Sequence, residues 1–221
     1  MVNYLIYFYG IANFNFMIFP SKKYKLIDEF YNDYVSILNN FLKKVDSNSL
    51  VKASNLILKA LRKNSKIFIC GNGGSAAIAN HFVADYGKYI KTNNGLKPKI
   101  ISLSSNIEII TAISNDISFD KVFSYQLENL IQKNDLLLSV SSSGNSKNIL
   151  EAIRICNKKG GTSISFLGFG GGKAKRISNH SLIFDVKNYG LSEDSAHIFM
   201  HVICQFLKQK ISNLKIKKII F

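Results

Sequence analysis

Five short apolar runs rich in β-formers recur along the chain: KIFIC at 66–70, KIISL at 99–103, DLLLSV at 135–140, TSISFLG at 162–168 and LIFDV at 182–186. Stretches of helical period fit between them, at 76–89, at 107–113 with 119–131, at 146–158 and at 172–178. Strands separated by helices pair side by side through crossover connections, so this alternation predicts an α/β fold, a doubly wound parallel sheet with helices on both faces. Two further helices are expected before the first strand. Leu26, Phe30, Tyr34, Ile37, Leu38 and Phe41 follow helical spacing, and Asp46 or Ser47 then opens a second helix through Leu56, Leu58 and Leu61.

The 221 residues suit one large domain, and with 47 % apolar against 19 % charged residues the chain can bury a core rather than stay disordered. The net charge of +15 raises the question of nucleic acid. Its lysines are scattered, however, and much of the excess sits in the tail KQKISNLKIKKIIF, so a compositional bias is the expected reading and no nucleic-acid partner is expected. The first nineteen residues carry no charge but are broken by three asparagines and a glycine. Residues 1–20 are read as an appendage with membrane contact not expected, 21–210 as the domain, and 211–221 as a basic tail. Cys70, Cys156 and Cys204 lie far apart without a CxxC pair, the pattern of reduced thiols in a cytoplasmic protein.

Open α/β sheets bind ligands where loops leave the carboxyl ends of their strands. Two loops here fit that position: GNGGS at 71–75, containing Asn72, Gly73, Gly74 and Ser75, and SSSGNS at 141–146. Glycines at the head of a helix allow positive φ and close approach, and the exposed N–H groups favour an anion. Neither loop has the dinucleotide spacing GxGxxG or the GK[ST] ending of a nucleotide loop. Ser141, Ser142, Ser143 and Ser146 add hydroxyl donors without charge, which suits a phosphate monoester on a small polyol. The plain alternative is a polar turn capped by Ser146.

His81 and Asp85 stand four residues apart on the helix after the first loop, and Glu193, His197 and His201 repeat every four residues on the last helix, expected over 191–208. Of the four histidines only His180 lies outside these two groups. Imidazole with carboxylate suits zinc or another first-row metal; the alternative is a set of ordinary helix-surface ion pairs.

With GNGGSAAIANHFVAD, ISNDISFDKVF, LLLSVSSSGNS, GFGGGKAKRIS and EDSAHIFMHVICQ in hand, the chain resembles the phosphoheptose isomerases of the sugar isomerase (SIS) superfamily from about Tyr24 to Lys208. The resemblance implies a five-stranded parallel sheet flanked by helices and a homotetramer with its sites at subunit contacts. It implies a phosphate site on Ser75, Ser141, Ser142, Ser143 and Ser146, with Gly73 and Gly74 in the same loop, and sugar contacts from Asn72 and Asp116. It implies a divalent metal, zinc by expectation, on His81, Asp85, Glu193 and His201, with His197 a bystander because Glu193 keeps the family's eight-residue spacing to His201. The activity implied is aldose/ketose isomerisation of sedoheptulose 7-phosphate, with Asp85 and His201 as the catalytic pair, for heptose destined for lipopolysaccharide core or other surface glycans.

This chain departs from the family's pattern in four places. Asp85 stands where the family has glutamate, Glu193 where it has glutamine, Tyr89 where an arginine is common, and Gly190 where an aspartate contacts the sugar. A rival expectation comes from related tetrameric SIS proteins that bind the replication initiator DnaA without catalysis. Such a binding module has no need of all four metal positions together.

Overall fold

A computed structural model describes residues 19–90 and 96–212 of the chain. Helices α1 (Ile27–Lys44) and α2 (Ser47–Arg62) come first. Asp46 caps α2, its carboxylate accepting from the backbone N–H groups of Asn48 and Ser49 at 3.2 and 3.0 Å. Strands β1 (Lys66–Gly71), β2 (Lys99–Ser102), β3 (Leu136–Ser141), β4 (Thr162–Leu167) and β5 (His180–Ile183) then alternate with helices. These are α3 (Gly74–Ala84), α4 (Ile107–Asp116), α5 (Ser124–Leu130), α6 (Lys147–Lys158) and α7 (Ala174–Ile177), and α8 (Tyr189–Ile211) closes the fold.

All strand pairings are parallel and the order is β2-β1-β3-β4-β5, the five-stranded sheet that the resemblance implied. Alternation along the strands separates two cores. Ile67, Ile69, Leu136 and Leu138 point into one with α1, α2, α3 and α8, whereas Phe68, Cys70 and Leu137 point into the other with α4 to α7. Because the chain steps from β1 outward to β2 and then returns to β3 on the opposite side, the direction of winding reverses between β1 and β3. At such a point the two outgoing loops diverge and leave a crevice.

Three elements differ from the sequence reading. The last strand lies at His180–Ile183 rather than 182–186, because β4 ends at Leu167, which pairs with Ile183. Beyond it Phe184 donates one more bond to the Leu167 carbonyl and the chain turns, so Phe184 and Val186 are apolar for burial in the core and not for sheet pairing. The helix expected over 76–89 begins two residues earlier and changes, after Ala84, into a π-helical turn over Asp85–Tyr89. The stretch expected at 119–131 divides into a 3-10 turn, Phe119–Lys121, and α5. The expected appendage falls largely in residues 1–18, and the basic tail largely in 213–221, both outside the described residues.

Candidate active site

Both glycine and serine loops open at the β1/β3 crevice. Gly73 has φ of +53°, a conformation that suits glycine, and the turn it makes lets α3 start at once after β1. In the second loop Gly144 has φ of +62°, and a Cβ there would collide with the Gly171 carbonyl, so the close approach of GFGGG to SSSGNS requires glycine. The approach is stitched by Ala174 N–H to the Gly144 carbonyl at 2.9 Å and by Lys173 N–H to Asn145 Oδ1 at 3.0 Å.

Ser75, Ser141 and Ser142 are buried, and Ser143 and Ser146 half-buried. Ser141 Oγ accepts from Gly144 N–H at 3.1 Å and Ser143 Oγ from Asn145 N–H at 3.2 Å, which shapes the loop. Ser146 occupies the N-cap position of α6 but makes no side-chain capping bond. A cap therefore does not explain this serine.

Asn72 is held in a reciprocal pair with Asn148, each amide nitrogen donating to the other's oxygen at 2.9 Å. Asn148 is nearly fully buried and was not singled out from sequence, although its place in the first turn of the helix after SSSGNS was the available signal. Asp116 ends α4, exposed, and accepts from the neighbouring Asn115 amide at 2.8 Å.

Helices α3 and α8 run side by side in the same sense, with Gly74 against Glu193 at one end and His81 against His201 at the other. His81 Nε2 and His201 Nε2 are 3.0 Å apart, and Asp85 reaches both, with Oδ1 3.4 Å from His81 Nε2 and Oδ2 3.1 Å from His201 Nε2. The Asp85 side chain is only 14 % exposed, so its carboxylate is enclosed between two imidazoles rather than solvated as in a surface pair. The π-helical turn starts at Asp85, a local irregularity of the kind that often accompanies functional sites.

His197, expected to be a bystander, lies in the same cluster: the ligand atoms of His81, His197 and His201 all fall within 4.8 Å of one another. Its Nε2 is buried with no hydrogen-bond partner, and burial, together with the His201 and His81 rings, holds its pKa below the ordinary histidine value. The Glu193 carboxylate lies instead against Gly74, where a Cβ would collide with it. Three converging imidazoles, one of them with an orphaned buried nitrogen, and an enclosed carboxylate are a donor set that fits a first-row divalent metal. His180 donates from Nε2 to the Ser49 carbonyl, 2.8 Å away, and is a packing residue.

A pair of glycine and serine loops at the heads of two helices, with an imidazole and carboxylate cluster further along α3, can anchor an anionic sugar at one end and move protons at the other. In class, the fold and site define a SIS-domain protein, and the family model described as SIS domain matches residues 29–168. More narrowly, the chain belongs to the phosphoheptose isomerase family. It is 40 % identical over 157 residues to the phosphoheptose isomerase of Campylobacter concisus, covering 71 % of this chain and 82 % of that protein. It is 36 % identical over 165 residues to that of Aliarcobacter butzleri, covering 74 % and 86 %. The solved structure of phosphoheptose isomerase GmhA from Neisseria gonorrhoeae superposes with a TM-score of 0.76 at 28 % identity, over 83 % of this chain and 97 % of that one.

Proposed function

We propose that this chain is an aldose/ketose isomerase that converts sedoheptulose 7-phosphate to D-glycero-D-manno-heptose 7-phosphate, the product serving lipopolysaccharide core or other surface glycans. The observation that carries the reading is the His81, Asp85 and His201 cluster between α8 and the helix that follows the glycine-rich loop GNGGS, with the serine-rich loop SSSGNS across the crevice, in a chain whose relatives are phosphoheptose isomerases. The regulator reading is not favoured, since a surface that binds DnaA has no use for a carboxylate enclosed by imidazoles.

In this reading the phosphate sits at the starts of α3 and α6, where Ser75, Ser141, Ser142, Ser143 and Ser146 and the backbone of Gly73 and Gly74 donate to it. Asn72 and Asp116 contact the sugar. Six residues of helix separate Ser75 from His81, ~9 Å of rise, a span that a seven-carbon chain can bridge between its phosphate and its reacting end. Fixing the phosphate thereby brings C1 and C2 to the cluster.

Asp85 removes a proton from C1 of the ketose and returns it to C2, and His201 takes the hydroxyl proton from O1 and delivers one to O2, so an enediol forms and collapses with protons balanced. A divalent ion held by His81, by one carboxylate oxygen of Asp85 and by one ring nitrogen of His201, zinc by the chemistry of these donors, would supply positive charge as the enediol develops and would leave the second oxygen of Asp85 and the other ring nitrogen of His201 for the protons.

Residues 21–210 form the catalytic domain in this proposal, in a cytoplasmic homotetramer with sites at subunit contacts. The exposed apolar stripe on α1, with Ile27 82 % and Tyr31 63 % exposed, supports burial against another copy, and light scattering should report four chains. The activity is tested by incubating the zinc-supplied protein with sedoheptulose 7-phosphate in deuterium oxide. An aldoheptose 7-phosphate should appear, with solvent deuterium at C2 wherever the Asp85 proton exchanges before its return, and failure to form any aldose would sink the isomerase reading.

A further inference from the structure

We propose that His197, not Glu193, is the fourth protein ligand of the metal in this chain, so that the ion is held by His81, Asp85, His197 and His201. The inference rests on the reading that the cluster binds a divalent metal, and it departs from the ligand set that the family resemblance implies.

Three observations carry it. First, His81, His197 and His201 bring their ligand atoms within 4.8 Å of one another, and the three rings pack with centroids 4.6 to 5.0 Å apart. Donors around a tetrahedral zinc with bonds of 2.0–2.1 Å stand about 3.3 Å from each other. The separations of 3.0, 3.1 and 3.4 Å among His81, His201 and Asp85 are already of that size, and His197 is the next donor outward.

Second, His197 Nε2 is buried and has no hydrogen-bond partner among the described residues. A buried polar atom left alone asks for an explanation, and a ligand is one that the two neighbouring imidazoles share. Packing alone would be served by an apolar residue in this place. Coordination needs a nitrogen.

Third, Glu193 lies at the other end of the helix pair. On α8 it lies two turns from His201, ~12 Å of rise, whereas His197 lies one turn away, ~6 Å. Its carboxylate rests against Gly74 in the opening turn of α3, where the helix dipole favours negative charge. Gly74 is in turn seven residues before His81, ~10 Å along α3. Glu193 thus faces the phosphosugar loops rather than the imidazoles.

Three imidazoles and one carboxylate carry one negative charge fewer than two histidines with two carboxylates. The exchange moves the site toward zinc, cobalt and nickel and away from magnesium and manganese.

The test uses full-length protein stripped with a chelator and titrated with cobalt(II), whose visible spectrum reports coordination, followed by zinc competition. His197→Ala should weaken binding by about 100-fold or more, since losing even an outer partner of a ligand costs 10–100-fold. Glu193→Ala should leave affinity and spectrum little changed. X-ray absorption of the zinc-loaded wild type, which needs no variant to fold, should show the scattering of three imidazoles. Two imidazoles, or His197→Ala binding as tightly as wild type while Glu193→Ala loses the metal, would overturn the proposal, as would a wild type that binds no cobalt. Turnover is scored separately: three imidazoles on the metal with no aldose formed would support this ligand set and sink the isomerase.

Discussion

Asn72 and Asn148 exchange two amide hydrogen bonds of 2.9 Å each across the crevice between β1 and β3, tying the GNGGS loop to the first turn of α6. Neither loop is then free to move without the other. Asn148→Ala should leave the Asn72 amide unpartnered and lower stability by about 1–3 kcal/mol in urea titration, while KM for the phosphosugar rises. Because the two residues act as a unit, the double variant with Asn72→Ala should lose less than the sum of the singles. Strictly additive losses would show that the pair is not coupled.

The serine loops carry the phosphate assignment. Ser146, which makes no capping bond, and Ser143 should each contribute a hydrogen bond to an anion worth about 1.5–3 kcal/mol. Ser143→Ala and Ser146→Ala are expected to raise KM by roughly 10- to 100-fold with the melting temperature nearly unchanged. Unaltered kinetics in both variants would remove the assignment.

Asp85 and His201 are the proposed proton carriers, 3.1 Å apart at Oδ2 and Nε2. Asp85→Asn and His201→Ala should fold, with unchanged circular dichroism, and lose about 100-fold or more in kcat. Chelation should abolish turnover in the wild type and zinc should restore it. If these contacts are only helix-surface pairs, worth ~0.2–0.5 kcal/mol, neither the substitutions nor the chelator will matter.

Tyr34 on α1 donates to Asp194 Oδ2 on α8 at 2.6 Å, one residue from Glu193. Burial first, and then that carboxylate, hold the phenol's pKa well above its ordinary value. The folded state therefore keeps a proton that the unfolded chain releases above a pH of about 10, so the stabilisation is complete below that pH and is lost as pH rises toward the folded value. Tyr34→Phe should be less stable than wild type at neutral pH and should lack this alkaline loss. Parallel stability curves up to strongly alkaline pH would show the bond to be without effect.

What the sequence determined by itself is local. Alternation of five apolar runs with helical stretches was enough for a parallel, doubly wound sheet, because side-chain period and connection length are properties of neighbouring residues. The same held for GNGGS and SSSGNS, since a glycine's tolerance of positive φ belongs to its own backbone, as the angles at Gly73 and Gly144 bear out. The boundary of β5 was not legible, because an apolar run records burial and not pairing, and only the end of β4 at Leu167 decided where pairing stops.

The site divides along the same line. A four-residue repeat put Glu193, His197 and His201 on one stripe of α8 without saying which of them meets α3. Which imidazole or carboxylate joins His81 depends on the offset at which two helices pack, and that offset is set by Gly74 admitting Glu193 at one end and by the core beneath both helices. Family spacing favoured Glu193 over His197, whereas packing brought His197 to the cluster and left Glu193 at the loop. The Asn72 and Asn148 pair was hidden for the same reason: 76 residues separate them, and only the winding of the sheet brings their strands side by side.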